Sequence, residues 1–213
     1  MMTTEEIKTA IEAAVPGAVV EIVLNPSPCA QHSLRLDHAH ALAVAKFLRD
    51  DPSLQFDYLS NVTGVDWLDR EGAEKVKVKK LVDGVEQEAE ETIKHKVSGY
   101  LETVYHLFST VQRTGPLVLR MKTINRSDQV NMPSVVPSWR SAEFQEREIF
   151  DLYGIKFTGH PDLRRLLMWD EFEDHPMRRD YVEPDDFEYE PTAHDAVLAR
   201  ANAHNAAAEK GAA

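Results

Sequence analysis

The chain has 213 residues, a formal net charge of −12 and a single cysteine, Cys29. Its length suits one core plus an extended segment, and its acidity makes polyanions poor partners, because nucleic-acid binding relies on a basic face to neutralise phosphates. One thiol forms no internal disulfide, which fits a reducing compartment, and it cannot supply the four thiolates of an ordinary iron–sulfur cluster, so any such cluster belongs to another chain.

The N-terminal stretch MMTTEEIKTAIEAA is acidic where an export signal is basic, and reads as an amphipathic helix over 4–14 closed by Pro16-Gly17. AVVEIVL, from Ala18 to Leu24, is rich in β-branched residues and predicts a strand broken by Pro26 and Pro28; a second short strand follows at Ser33–Leu36. Asp37 is placed as the N-cap of a helix from His38 to Asp50, with Ala41, Leu42, Ala45 and Leu48 at helical spacing and Pro52 as the stop. FDYLSNVTGVDWL (56–68) opens a meander of strands continued by Lys75–Val82, Val97–Thr110 and Leu117–Ile124; from Tyr100 to Phe108 two sets of side chains alternate with the period of a sheet.

DGVEQEAEETIKHK (83–96) is polar and mostly acidic, and reads as a long hairpin loop or insertion at the sheet margin. These elements predict an α+β fold, a mostly antiparallel sheet with helices packed on one face. The core is expected to occupy 1–153, and residues 154–213 to form a turn and an extended C-terminal segment that wraps on a partner. Beyond Asp170 charges and prolines alternate with isolated aromatics, too little apolar surface to offset the entropy of ordering alone. No apolar run approaches the roughly 18–20 residues that span a bilayer, so a membrane location is expected only through partners.

The stretch that concentrates chemistry is EREIFDLYGIKFTGHPDLRRLL, residues 146–167, with four acids, three arginines and a histidine. A helix from Trp139 to Tyr153, stopped by Gly154, puts Trp139, Ala142, Ile149, Phe150 and Tyr153 on one apolar stripe with Glu146 in its middle. Glu146 is therefore expected to be buried and either paired or neutralised; Arg147, Arg164 and Arg165 are the cations within reach. Glu148 and Asp151 are placed on the far face, as a solvated face, a partner-facing pair or half of a metal site. Glu148, Asp151, His160, Asp162 and His175 are ligand types within thirty residues and admit a second reading, a metal-dependent enzyme using His160, His175 and nearby carboxylates. Against it, each histidine precedes a proline and no HExxH-like spacing occurs. Gly154 and Gly159 have Walker spacing but are followed by His160-Pro161 in place of Lys and Ser or Thr, and no GxGxxG or GxSxG is found. The pairs Arg164/Arg165 and Arg178/Arg179 lie among acids and read as internal ion pairs; Cys29 reads as a surface-loop thiol.

The run EREIFDLYGIKFTGHPDLRRLL closely resembles the signature of the 30-kDa subunit family, the C-type subunit, of respiratory complex I, the proton-pumping NADH:quinone oxidoreductase. FDYLSNVTGVDW, SVVPSWRSAEFQEREIFD and HPMRRDY match flanking segments of that family, so the resemblance covers roughly residues 54–182. It implies a chain with no catalytic residue or cofactor of its own, within an assembly whose iron–sulfur clusters, FMN and quinone belong to other subunits. The implied partners are the 49-kDa type subunit and a cluster-bearing quinone-module subunit, at the cytoplasmic face of the bacterial cell membrane. Glu146, Arg147, Glu148, Asp151, Gly154, His160, Pro161, Asp162, Arg164, Arg165, His175, Arg178 and Arg179 are then expected to serve pairing, turn formation and docking. Related subunits of membrane-bound hydrogenases share the signature. Where the family commonly has two glycines before the downstream His-Pro, this chain has Glu171 and Asp174.

Overall fold

The computed structural model describes residues 2–82 and 85–182. The first helix, α1 (Thr4–Ala14), begins with a capping box: the Glu6 N–H donates to Thr3 Oγ1 and the Thr3 N–H to the Glu6 carboxylate. That pair satisfies two of the backbone donors a helix start leaves open. Strands β1 (Val20–Val23) and β2 (Ser33–Leu36) pair antiparallel, and α2 (Ala41–Asp50) follows. It starts three residues later than the sequence predicts, with His40 at the N-cap position, and Asp37 is not the cap. The Asp37 carboxylate instead meets the Val19 N–H at 3.1 Å and His40 Nδ1 at 2.7 Å, tying the α2 approach to the start of β1.

Five strands form the main sheet in the order β1-β2-β7-β6-β3, with β3 at Tyr58–Trp67, β6 at Tyr100–Ser109 and β7 at Thr114–Lys122. All neighbours are antiparallel except β2 and β7. Alternation in β6 settles which face is covered: Leu101, Thr103, Tyr105 and Leu107 are all buried. Leu101, Tyr105 and Leu107 share a single core cluster with Ile7 and Ile11 of α1, Val44 and Leu48 of α2, and Leu34 and Leu36 of β2. On the other face Glu102 is fully buried as well, because Arg120 and the Trp67 indole N–H close over its carboxylate.

The segment expected to be a hairpin loop is largely strand. Strands β4 (Arg70–Val82) and β5 (Val85–Val97) form a two-stranded antiparallel ribbon running from Arg70↔Val97 to Val82↔Val85. Such a ribbon satisfies backbone groups by pairing with itself, so it does not require the apolar side chains by which a strand is recognised in sequence.

The core boundary expected at Tyr153 also moves. Helix α3 (Ala142–Tyr153) is followed by β9 (Lys156–Thr158), which pairs in parallel with β8 (Asn131–Pro133). Ile155 and Phe157 are core residues, so the chain re-enters the domain straight after Gly154. The compact unit extends to Tyr181. Residues 159–181 form an irregular strap over it, held by hydrogen bonds and by buried Phe172. A separate segment from 154 onward is expected from the lack of a hydrophobic period, and the strap is attached chiefly through polar contacts.

Candidate functional site

Helix α3 carries the charged residues, and its geometry follows from what flanks it. Trp139 sits in the turn before the helix, 3% exposed, with its indole N–H donating to the Phe56 carbonyl at 2.7 Å. At the other end Gly154 adopts φ +79°, the left-handed conformation that glycine enters freely, and its N–H returns to the Phe150 carbonyl. The other carbonyls of the last turn are capped from the strap. His175 Nδ1 lies 3.0 Å from the Asp151 carbonyl, the Met177 N–H donates to Leu152 at 3.1 Å, and Arg178 Nε to Tyr153 at 2.8 Å. HPMR, residues 175–178, is thus a C-terminal cap assembled from distant sequence, with a cation where the helix dipole favours one.

Glu146 is fully buried, as its place in the apolar stripe predicts. Neutral donors stand where an arginine is expected. Its carboxylate accepts from Ser134 Oγ at 2.6 Å and from the Val135 N–H at 2.8 Å. Burial pushes the Glu146 carboxyl up to about 7 against the pull of those two donors. All three arginines are engaged elsewhere. Arg147, one residue and about 100° further round the helix, sends Nε and Nη2 to the Arg164 and Arg165 carbonyls, each at 3.2 Å, and stacks over Phe144. Arg165 binds Asp151, and Arg164 binds exposed Asp162 at 2.9 Å.

Asp151, assigned to an outer face, is fully buried under the strap. One of its oxygens takes Arg165 Nη1 at 2.7 Å; the other accepts three successive N–H groups, from Leu166, Leu167 and Met168, at 3.0, 2.7 and 2.9 Å. Burial would raise this carboxyl, yet the three amides and Arg165 together hold it below the usual carboxylate range. No local signal marks this burial, because three of its four partners are backbone amides brought in by the strap. Glu148 is exposed, as expected.

The remaining predicted residues shape the strap. His160 Nε2 lies 2.9 Å from the Glu143 carbonyl, and its Nδ1 accepts from the Asp162 N–H, fixing the turn around exposed Pro161 with both ring nitrogens occupied. The ligand types of the metal reading are not brought together: His160 and His175 bond to different carbonyls of α3, and among the described residues no three His, Cys, Asp or Glu side chains gather as a metal group. His175 is pulled below its ordinary pKa, first by burial and then by Arg178 and Arg165. The Arg179 backbone N–H, at 2.8 Å, meets a carboxylate that sequence reasoning missed, Asp66. Asp66 also takes Arg126 through both oxygens at 2.6 Å, and Arg126 continues to Asp180 at 2.8 Å. Nothing local to VDW in β3 or to NRS after β7 announces this pair. Outward, the helix and strap expose Phe144, Leu166, Leu167, Trp169 and Met177.

The sequence family described as the respiratory-chain NADH dehydrogenase 30-kDa subunit matches residues 34–187. The chain belongs to this family. A relative from Coxiella burnetii, named as the C-type subunit of NADH-quinone oxidoreductase, is 39% identical over 163 residues, 74% of this chain and 65% of its own length. One of the same name from Roseiflexus sp. is 38% identical over 132 residues, 62% of this chain and 59% of its own. The matches therefore span somewhat less than two thirds of these relatives. A solved chain from the membrane-bound sulfane sulfur reductase, an archaeal respiratory membrane complex, shares the fold, with a TM-score of 0.54 at 20% identity over 84% of this chain and 85% of that one. Among the described residues of this family member no helix is long and apolar enough to cross a membrane.

Proposed function

We propose that the chain is a scaffold subunit, without cofactor or catalytic residue of its own, in the peripheral arm of a proton-translocating NADH:quinone oxidoreductase. In this reading it docks on the 49-kDa type subunit near the quinone site, beside a cluster-bearing subunit, at the cytoplasmic face of the bacterial membrane, and supports electron transfer by positioning its neighbours. The observation that carries the reading is the division of labour in the α3–strap joint. Its buried charges are engaged inward and tie the strap to α3, while Phe144, Leu166, Leu167 and Met177 are left exposed on the helix and strap, as are Arg140 and Arg164. An anchored segment with exposed apolar side chains loses less entropy on docking than a free one.

The test is assembly in the native host. Leu167→Asp, at a position 62% exposed, is expected to leave the isolated chain folded and to reduce its recovery in a quinone-reducing complex by about tenfold or more. Normal recovery with both Leu167→Asp and Met177→Asp would overturn docking through this face. The electron donor oxidised by the recovered complex separates an NADH-linked assembly from a hydrogenase-type one.

A further inference from the structure

We propose that Glu146 and Ser134 form a buried proton-binding site, so that the domain folds with the Glu146 carboxyl neutral and is loosened when that proton leaves. The geometry points this way independently of any docking partner. Glu146 is 0% exposed and meets two hydrogen-bond donors, Ser134 Oγ and the Val135 N–H. Two neutral donors are a thin shell for a buried ionised carboxylate, whose oxygens offer about four acceptor sites. Compare Asp151, which has an arginine and three amides.

The surroundings supply no counter-charge among the described residues. On α3 itself Arg147 turns to the strap carbonyls. From the strap, Arg165 binds Asp151; from α2, Arg49 binds Asp50 and the Pro137 and Ser138 carbonyls. The sheet presents Tyr105 of β6, fully buried, which gives the carboxyl no hydrogen bond. Tyr105 stays neutral, its pKa driven well up by burial and then by the Glu146 charge. A neutral acid suits this thin shell, its O–H turned toward Ser134 Oγ at 2.6 Å. Ser134 Oγ receives the Val136 N–H at 3.2 Å on one lone pair and keeps the second for the Glu146 O–H.

Because burial raises Glu146 from 4.5 to about 7, the folded chain holds more protons than the unfolded one between those values. Stability from this site is fully present below about pH 4.5 and is lost as pH rises to about 7, the folding equilibrium constant falling by up to about tenfold per pH unit. His175, pulled down by burial, has the opposite slope just below its ordinary value, so the ratio of wild type to Glu146→Gln is the quantity to measure. Glutamine mimics the neutral acid: its oxygen accepts from Val135 while its amide donates to Ser134 Oγ. The coupling reaches the strap because Arg147 and Asp151, which hold it, lie on the same helix.

The experiment uses the full chain with carbon-13 detection of glutamate carboxyls from about pH 4 to 9, and chemical denaturation of wild type and Glu146→Gln across the same range. One glutamate is expected to titrate near pH 7 and to vanish from the variant's spectrum, and the variant is expected to gain on wild type as pH rises to about 7. A full set of glutamates titrating below about pH 5 would overturn the proposal, and this wild-type reading stands even if Glu146→Gln fails to fold. A pH-independent ratio of folding constants would overturn it as well.

Discussion

Glu146 and Asp151 stand five residues apart on α3, both with no exposed surface, and their surroundings solve the problem of a buried acid in opposite ways. The Glu146 end is dry and thinly bonded: one hydroxyl, one amide and no cation, with the carboxyl raised toward neutrality. The Asp151 end is saturated: one arginine and three amides keep it ionised. A buried carboxylate surrounded by that many donors remains charged, whereas one with few reverts to the neutral form. The first arrangement ties α3 to its own core, and the second ties the strap to α3.

Asp151→Asn breaks that comparison most severely. It leaves Arg165 unpaired and one neutral oxygen for three amides, so a loss of about 3–5 kcal/mol is expected in chemical denaturation. Faster hydrogen exchange at Leu166, Leu167 and Met168 should accompany it. Wild-type stability from Asp151 is present above the ordinary carboxylate range and lost as pH falls through its lowered value; an acid limb unchanged in the variant would contradict this. Asp66→Asn sharpens the comparison with another carboxylate bound to the strap. About 2–3 kcal/mol is expected, measured the same way, with exchange rising at Arg179.

Gly64→Ala probes the packing beneath α3. A methyl group there would lie 2.5 Å from Tyr153 Cδ2, so about 1–3 kcal/mol is expected, read as a lowered melting temperature. Glu146→Ala, which strands Ser134 Oγ and the Val135 N–H, is expected to lose about 1–2 kcal/mol at pH 5 and less at pH 8. It leaves no arginine unpaired, since Arg147, Arg164 and Arg165 are engaged elsewhere. Arg164→Ala should be the mildest, within about 0.5 kcal/mol, because the side chain is 71% exposed and pairs with an exposed aspartate. A loss above about 1 kcal/mol in the isolated chain would mean that this pair does more than its exposure allows.

Much of this was legible from side-chain pattern. The 3.6-residue stripe located α3 and buried Glu146, Gly154 marked the stop, and the two-residue alternation located β6 as a strand. Two elements escaped. Lys75–Val82 was legible as a strand within β4, but its partner β5, polar and mostly acidic, was read as a loop, and the strap was read as leaving the domain because its apolar residues are sparse. A cut at residue 170 would remove Phe172 and the cap on α3, so the core is not expected to tolerate it.

Sequence by itself determined which helix carries the acids, where that helix ends, and that Glu146 lies inside the stripe, since these follow from the local periodicity of side chains. Only the tertiary structure decided who meets whom. Glu146 is met by the Val135 amide, Asp151 by the amides of 166–168, Arg147 by the carbonyls of 164 and 165, and the last turn of α3 by residues 175–178. Most of these contacts involve backbone N–H and C=O groups, which nearly every residue carries alike. No residue letter records them, and they become partners only where the fold brings the chain back.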